Sequence, residues 1–135
     1  MANNGEDTIN LAKAGKLSLA EIESTFSTTG NNLVTVSDWD ACYDAGTNQL
    51  SEFATVTSNS GSNPITGIGM LLYSANGQQL YAAQYTNNFQ SAVIATSVGT
   101  TLYTTSDGNQ ALCIVYGWTN QGSFYFTQVM TIGSC

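Results

Sequence analysis

Short runs of alternating apolar and polar residues, separated by turn residues, occupy the chain from Leu33 onward. The dipeptides Asn76-Gly77 and Asp107-Gly108 are strong hairpin signals. The pattern predicts eight strands, at 33–37, 50–58, 65–74, 78–86, 91–98, 100–106, 110–118 and 123–132. Strands at this spacing are typical of an all-β fold, here an antiparallel β-sandwich or jelly roll of about eight strands.

The last two predicted strands are apolar on both faces. In 110–118, one face carries the even-numbered residues Leu112, Ile114, Tyr116 and Trp118. The other face carries the equally apolar Ala111, Cys113 and Val115. Such strands are typical of the centre of a sheet that is covered on both sides. We expect the cover on one side to be an amino-terminal helix or a neighbouring subunit. The predicted central core residues are Ile114, Trp118, Phe124 and Phe126.

The first 29 residues follow a helical pattern instead. A short helix is predicted to begin at Asp7 or Thr8 and to end at Gly15. Ser18 and Glu21 then fit a capping box, and Leu19, Ile22 and Phe26 follow at helical spacing. A polar run over 27–32 ends this helix and forms a hinge. We therefore predict an N-terminal helical arm over residues 1–29 and a β-sandwich domain over residues 30–135.

Charge is distributed unevenly between these two segments. Lys13 and Lys16 are the only basic residues, and the net charge of the chain is −7. Such a chain repels a phosphate backbone, which excludes nucleic acid as a partner. The absence of His removes the commonest metal ligand and the commonest general base, so we expect no enzymatic activity and no cofactor.

The sequence shows neither a transmembrane segment nor a recognisable signal peptide. No apolar run is long enough for a transmembrane segment, and the polar first ten residues do not resemble a signal peptide. The composition, in which 53 of the 135 residues are Ser, Thr, Asn or Gln, favours an extracellular or surface-exposed location.

Three carboxylates fall within seven residues, at Asp38, Asp40 and Asp44. Calcium binds several oxygen ligands on a flexible loop, which makes these residues a weak calcium candidate. The spacing does not fit a known calcium loop, so we predict an acidic, solvated loop anchored by Trp39 and no metal. Asp38 and Asp40 could also form the carboxylate pair of a glycoside hydrolase, which is the least supported function.

Aromatic residues among Asn, Gln and Thr are the better functional signal. Tyr and Trp rings stack on sugars and anchor protein interfaces, and the amides around them can bond to hydroxyl groups. The predicted ligand-binding residues are Asp38, Trp39, Asp40, Asp44, Tyr85 and Trp118.

The chain contains three cysteines, Cys42, Cys113 and Cys135, whose pairing the sequence leaves open. Cys113 lies inside an apolar run and is interpreted as a small buried residue. Cys135 is the last residue, and we predict that it is an exposed, reactive thiol.

Two functions remain. The first is a non-enzymatic, self-associating protein that forms a homo-oligomer, fibre, shell or inclusion, because its strand edges lack the lysines that normally block association. The basic arm would meet the acidic domain of a neighbour. The predicted self-association residues are Lys13, Lys16, Leu19, Ile22 and Phe26. The alternative is a small lectin-like or toxin-like module that binds carbohydrate or membrane surfaces.

Overall fold

The computed structural model describes Ala20 and residues 28–135, and residues 28–135 are all-β. Two one-turn 3₁₀ helices occupy Asn31–Leu33 and Thr105–Asp107. The strands are β1 (Val34–Asp44), β2 (Gln49–Ser58), β3 (Ile65–Ser74), β4 (Leu80–Ser91), β5 (Val93–Thr100), β6 (Gln110–Thr119), β7 (Gly122–Thr131) and β8 (Gly133–Ser134). The predicted all-β class is confirmed. Apart from Ala20, both predicted helices of the arm, with its five self-association residues, lie outside the described residues.

The strands form two four-stranded sheets. The first sheet has the order β5-β2-β1-β8, and the second has the order β4-β3-β6-β7. Neighbouring strands are antiparallel, except that β8 runs parallel to β1. The pairs β1–β2, β3–β4 and β6–β7 are each joined within one sheet, whereas the other connections cross between the sheets.

The interior lies between the two sheets. One cluster joins Val56 of β2 to Met70 of β3 and Phe124 of β7, and all three are fully buried or nearly so. A second cluster joins Leu50 of β2 to Leu72 of β3. Because both clusters draw on both sheets, burial of these side chains holds the two sheets together.

A β-bulge in β1 changes the expected path of the acidic segment. The register with β2 shifts between Ser37 and Asp40, and Asp38 has a φ of 50°. Val34 and Val36 point inward before the bulge, whereas Trp39 and Ala41 point inward after it. One extra residue therefore reverses the alternation. The predictions of a strand that ends at Ser37 and of an acidic loop after it are wrong, since β1 is continuous to Asp44.

The predicted strand 100–106 is also wrong. The backbone N–H of Thr104 donates to Asp107 Oδ2 at 2.9 Å, and Thr105–Asp107 form a 3₁₀ turn. Local bonds from Asp side chains compete with a strand ladder, which explains the turn. Tyr103 is nevertheless buried, and its hydroxyl donates to the carbonyl of Gly108 at 2.6 Å.

A disulfide closes the carboxyl end of the chain onto β1. Cys42 and Cys135 are bonded across a sequence separation of 93 residues, and the N–H of Cys135 donates to the carbonyl of Tyr43 at 3.2 Å. The prediction that Cys135 is a reactive thiol is therefore wrong, because its sulfur is already bonded. Cys113 is free and buried, as its apolar surroundings predicted.

Candidate functional site

The second sheet has a second apolar face, which points away from the first sheet. We call it the outer aromatic face. Leu71 of β3 and Tyr116 of β6 on this face have no exposed surface, so β3 and β6 are buried on both sides. This confirms the prediction of two covered faces for the strand at 110–118. The prediction that the strand at 123–132 is also central is wrong, because β7 lies at the edge of its sheet. The members are Leu71, Tyr73, Leu80, Ala83, Tyr85, Leu112, Ile114, Tyr116, Trp118 and Tyr125.

The predicted core residues are divided between the two faces. Ile114 and Trp118 belong to the outer aromatic face, and Phe124 lies between the sheets. These three are buried, whereas Phe126 is only half-buried. Burial was therefore predictable for three of the four residues. The alternation of side chains along each strand determines which face of the sheet each residue lies on.

Two glycines of β3 make room for the rings. A Cβ at Gly69 would overlap the Tyr116 ring. A Cβ at Gly67 would lie 2.9 Å from the Tyr85 hydroxyl and 3.0 Å from Cε3 of Trp118. The absence of these two side chains lets large rings from β4 and β6 lie across β3.

The rings pack in a defined order. Tyr85 and Tyr116 are stacked with a centroid distance of 6.0 Å and an interplanar angle of 4°. Trp118 meets Tyr85 edge-on at 5.6 Å and 90°. Burial raises the pKa of Tyr116, as it does that of Tyr73, so both phenols remain neutral at physiological pH.

A cleft of about 600 Å³ opens at one end of this face, where β3 begins and β6 ends. We call it the Tyr85–Trp118 cleft. Its polar lining consists of amides and hydroxyls, and no charged side chain from the described part of the chain contributes to it. Apart from the two rings, the lining residues are Thr66, Gly67, Asn87, Asn88, Phe89, Gln90, Thr119 and Asn120.

The cleft combines aromatic edges with neutral hydrogen-bonding groups. Each amide side chain both donates and accepts, and each Thr hydroxyl does the same. Asn88 has a φ of 63°, a local distortion of β4 beside the cleft. Such a lining can hold a neutral ligand that has many hydroxyl groups, and among the described residues it contains no general base or activated nucleophile.

The structure separates the predicted ligand-binding residues into two places. Tyr85 and Trp118 meet in the cleft, whereas Trp39 packs between the sheets. Asp38 and Asp40 are exposed on either side of Trp39, at the bulge. Asp44 is exposed and accepts the N–H of Gly46 at 2.8 Å. Within residues 28–135, no three His, Cys, Asp or Glu side chains are grouped so that they could hold a metal ion.

The sequence interpretation missed Glu52. Its side chain is fully buried between the sheets, and the Trp39 indole N–H donates to Oε2 at 2.9 Å. Oε1 has no hydrogen-bond partner in the described structure. Burial raises the pKa of Glu52 well above its ordinary value, although the Trp39 bond opposes this. Because Glu52 alternates with Leu50 and Ala54, its inward position could have been predicted from the strand pattern.

Comparisons with known proteins add little. No protein-family model and no curated protein matches the chain. Over the residues described, no helix has the length and apolar character that crossing a bilayer requires.

Two solved structures are similar in part. The first, Pseudomonas fluorescens alkylpurine DNA glycosylase AlkC bound to DNA containing an abasic site analog, has 9% identity and a TM-score of 0.46, with 92% of this chain and 36% of that chain covered. The second, DesR, a β-glucosidase from Streptomyces venezuelae in complex with D-glucose, has 11% identity and a TM-score of 0.38, with 72% and 15% covered. The chain thus spans a small part of each protein, and neither similarity carries an argument about function.

Proposed function

We propose that this chain is a non-enzymatic binding domain whose ligand is a neutral carbohydrate. The observation that carries the proposal is the convergence of Tyr85 and Trp118 in a cleft lined with amides and hydroxyls. Sugars offer apolar C–H surfaces to aromatic rings and hydroxyl groups to amides, so this lining complements both. The lining that the described residues form is neutral, which avoids the cost of removing water from an unpaired charge there.

The test measures binding of neutral oligosaccharides to the full chain, first on a glycan array and then by calorimetry. Tyr85→Ala and Asn120→Ala should each weaken binding about tenfold, which corresponds to the loss of one good contact. Asn109→Ala is the matched control, because Asn109 precedes β6 whereas Asn120 follows it. The control should leave the affinity unchanged.

Two results would overturn the proposal. One is the absence of binding to any neutral oligosaccharide in the screen. The other is binding that Tyr85→Ala and Asn120→Ala leave intact, which would place the sugar elsewhere. Binding to lipid vesicles, with no response to sugars, would favour a membrane surface as the ligand.

Self-association is the second candidate. Phe53 and Val93 are 37% and 53% exposed, on adjacent strands of the first sheet. Residues 30–135 contain no basic side chain that would oppose a contact between two copies. Light scattering over a range of concentrations should show assembly, and Phe53→Thr should reduce it. Val129→Thr, which changes a 46% exposed residue of the second sheet, is the control. A full chain that stays monomeric at every concentration removes this candidate.

We also propose that the two sheets form an antiparallel sandwich and that the protein works outside the cell. The strand order, with three hairpins and crossing connections between sheets, supports a sandwich over a jelly roll. The Cys42–Cys135 disulfide supports an oxidising compartment. Mass spectrometry of the protein from its native source, without reduction, would test the compartment through the state of that bond.

A further inference from the structure

The outer aromatic face is buried, although all its members belong to one sheet. Leu71, Ile114 and Tyr116 are each 0% exposed. The two clusters between the sheets are buried because each draws residues from both sheets. In the described part of the chain, neither the first sheet nor residues 28–33 contribute to the cluster on the outer aromatic face. The face therefore needs a cover of its own.

The described chain begins at the edge of this same sheet. The side chain of Asn31 pairs with the backbone of Tyr125 on β7, since Tyr125 N–H donates to Oδ1 at 2.9 Å and Nδ2 donates to the carbonyl at 3.0 Å. Gly30 lies so close to Ser123 that a Cβ would collide with the Ser123 carbonyl. Residues 30–31 are thus fixed on β7, and Tyr125 belongs to the outer aromatic face.

We propose that residues 1–27 of the same chain cover the outer aromatic face, with the stripe Leu19, Ile22 and Phe26 packed against β3 and β6. A nine-residue helix cannot be stable alone in water, so its apolar stripe needs a surface to pack on. Such a helix is about 13 Å long, and the four strands of the sheet span about 14 Å between the outermost two. The helix and the face therefore match in size.

The connection is also long enough. Phe26 precedes Asn31 by five residues, which reach about 17 Å when extended. The centre of the sheet, between β3 and β6, lies about one to two strand spacings, or about 5–10 Å, from β7. The stripe is apolar and the members of the face are uncharged, so docking buries no unpaired charge.

The competing occupant is the same segment from a second copy, which is the arrangement that the charge pattern of the sequence first indicated. A segment tethered five residues from the edge of its own sheet has a high effective concentration there. Docking within one chain should therefore be independent of protein concentration, whereas an exchanged arm should be released on dilution.

Hydroxyl-radical footprinting of the full chain, analysed by mass spectrometry, tests the proposal. Tyr73 and Tyr116 should be protected in the unaltered protein, to the same extent at low and high protein concentration. Ile22→Asp should increase their modification several-fold. Ser24→Asp is the matched control, because it places the same charge on the opposite side of the predicted helix and should change nothing. Tyr103, which is buried between the sheets, reports whether each variant is still folded.

The possible results separate the occupants. Protection that is lost on dilution overturns the proposal and assigns the cover to a second copy. Equal modification in Ile22→Asp and Ser24→Asp, or modification of Tyr116 in the unaltered protein, also overturns it. If Ile22→Asp exposes Tyr103 as well, Ile22→Ala replaces it and should give a smaller increase confined to the outer aromatic face. If Ile22→Ala gives no increase on the outer aromatic face, the proposal is overturned.

Discussion

Trp39 donates its indole N–H to Glu52 at 2.9 Å, in the interior between the two sheets. The bulge at Asp38 turns Trp39 inward, and the alternation of β2 turns Glu52, the register partner of Ala41, inward as well. Only one carboxylate oxygen is bonded, so the ionised form of Glu52 is poorly stabilised there. The pair therefore joins the two strands of a hairpin through one buried group that favours its neutral form.

Glu52 should make stability depend on pH. Burial raises the pKa of Glu52 in the folded protein, whereas in the unfolded chain it stays near its ordinary value of about 4.3. Below that pH both states are protonated. As the pH rises, the unfolded chain releases its proton first, so the free energy of unfolding falls until the pH passes the folded-state pKa.

The corresponding experiment compares Glu52→Gln with the unaltered chain by urea unfolding between pH 4 and pH 8, a window set by the ordinary carboxyl pKa. The variant should lose less stability across this window, because the amide that replaces the carboxyl group does not titrate. Asp38→Asn is the control, since Asp38 is exposed and Asn tolerates its positive φ. Identical pH profiles for Glu52→Gln and the unaltered chain would contradict this prediction.

The Trp39–Glu52 bond should contribute measurable stability. Trp39→Phe keeps an aromatic ring but removes the donor, and we expect a loss of about 1–3 kcal/mol because Glu52 then has no partner. The same substitution in the Glu52→Gln background should cost a different amount, and this difference is the coupling energy. Additive losses would mean that the two side chains do not interact.

The sequence predicted some elements at their observed bounds. The strand 65–74 is β3, because a regular apolar run ends there at Asn76-Gly77, and Gly77 has the positive φ that such a turn needs. The acidic segment was misread as a loop, since one bulged residue breaks the period of two on which strand prediction depends. A side-chain alternation cannot be read across an insertion whose position is unknown.

The types of residue that line the cleft were predictable from the sequence, but the place where they meet was not. Tyr85 and Trp118 lie far apart in the sequence, and they meet because β3 pairs with β4 on one side and with β6 on the other. Gly67 of β3 pairs with Trp118 and lies beside Tyr85, which fixes the contact. This register depends on long-range pairing, which local patterns do not specify.

The bulge gives a test of backbone geometry. Asp38 has a φ of 50°, where a β-branched residue is strained and glycine is not. Asp38→Val should lower the free energy of unfolding by about 1–2 kcal/mol relative to Asp38→Gly. Ser37→Val, an exposed neighbour on the same strand, should be close to neutral. Equal stability of the two Asp38 variants would argue against the bulge.

Counting thiols should establish the state of the cysteines. Cys113 is buried, and desolvation raises its pKa, so the native protein should not react with a thiol reagent. Unfolding without reductant should expose one thiol, and unfolding with reductant should expose all three. A rapidly reacting thiol in the native protein would instead indicate that Cys135 is free.

The disulfide should also contribute to stability. Replacing Cys42 and Cys135 together by Ala should lower the free energy of unfolding by about 2–4 kcal/mol.

The contact between Gly69 and Tyr116 links the stability of the sheet to the proposed cleft. A methyl group at Gly69 would overlap the Tyr116 ring, so Gly69→Ala should lower the free energy of unfolding by about 1–3 kcal/mol. Gly61→Ala is the matched control, because nothing lies within 4 Å of its added Cβ, and the change should stay within about 0.5 kcal/mol. Urea unfolding measures both. Since Tyr116 stacks on Tyr85, the displaced ring should also weaken binding of any sugar in the cleft. Unchanged stability in Gly69→Ala would show that the Tyr116 ring does not lie across β3. The stacking of Tyr116 on Tyr85, which supports the Tyr85–Trp118 cleft, would then be in error.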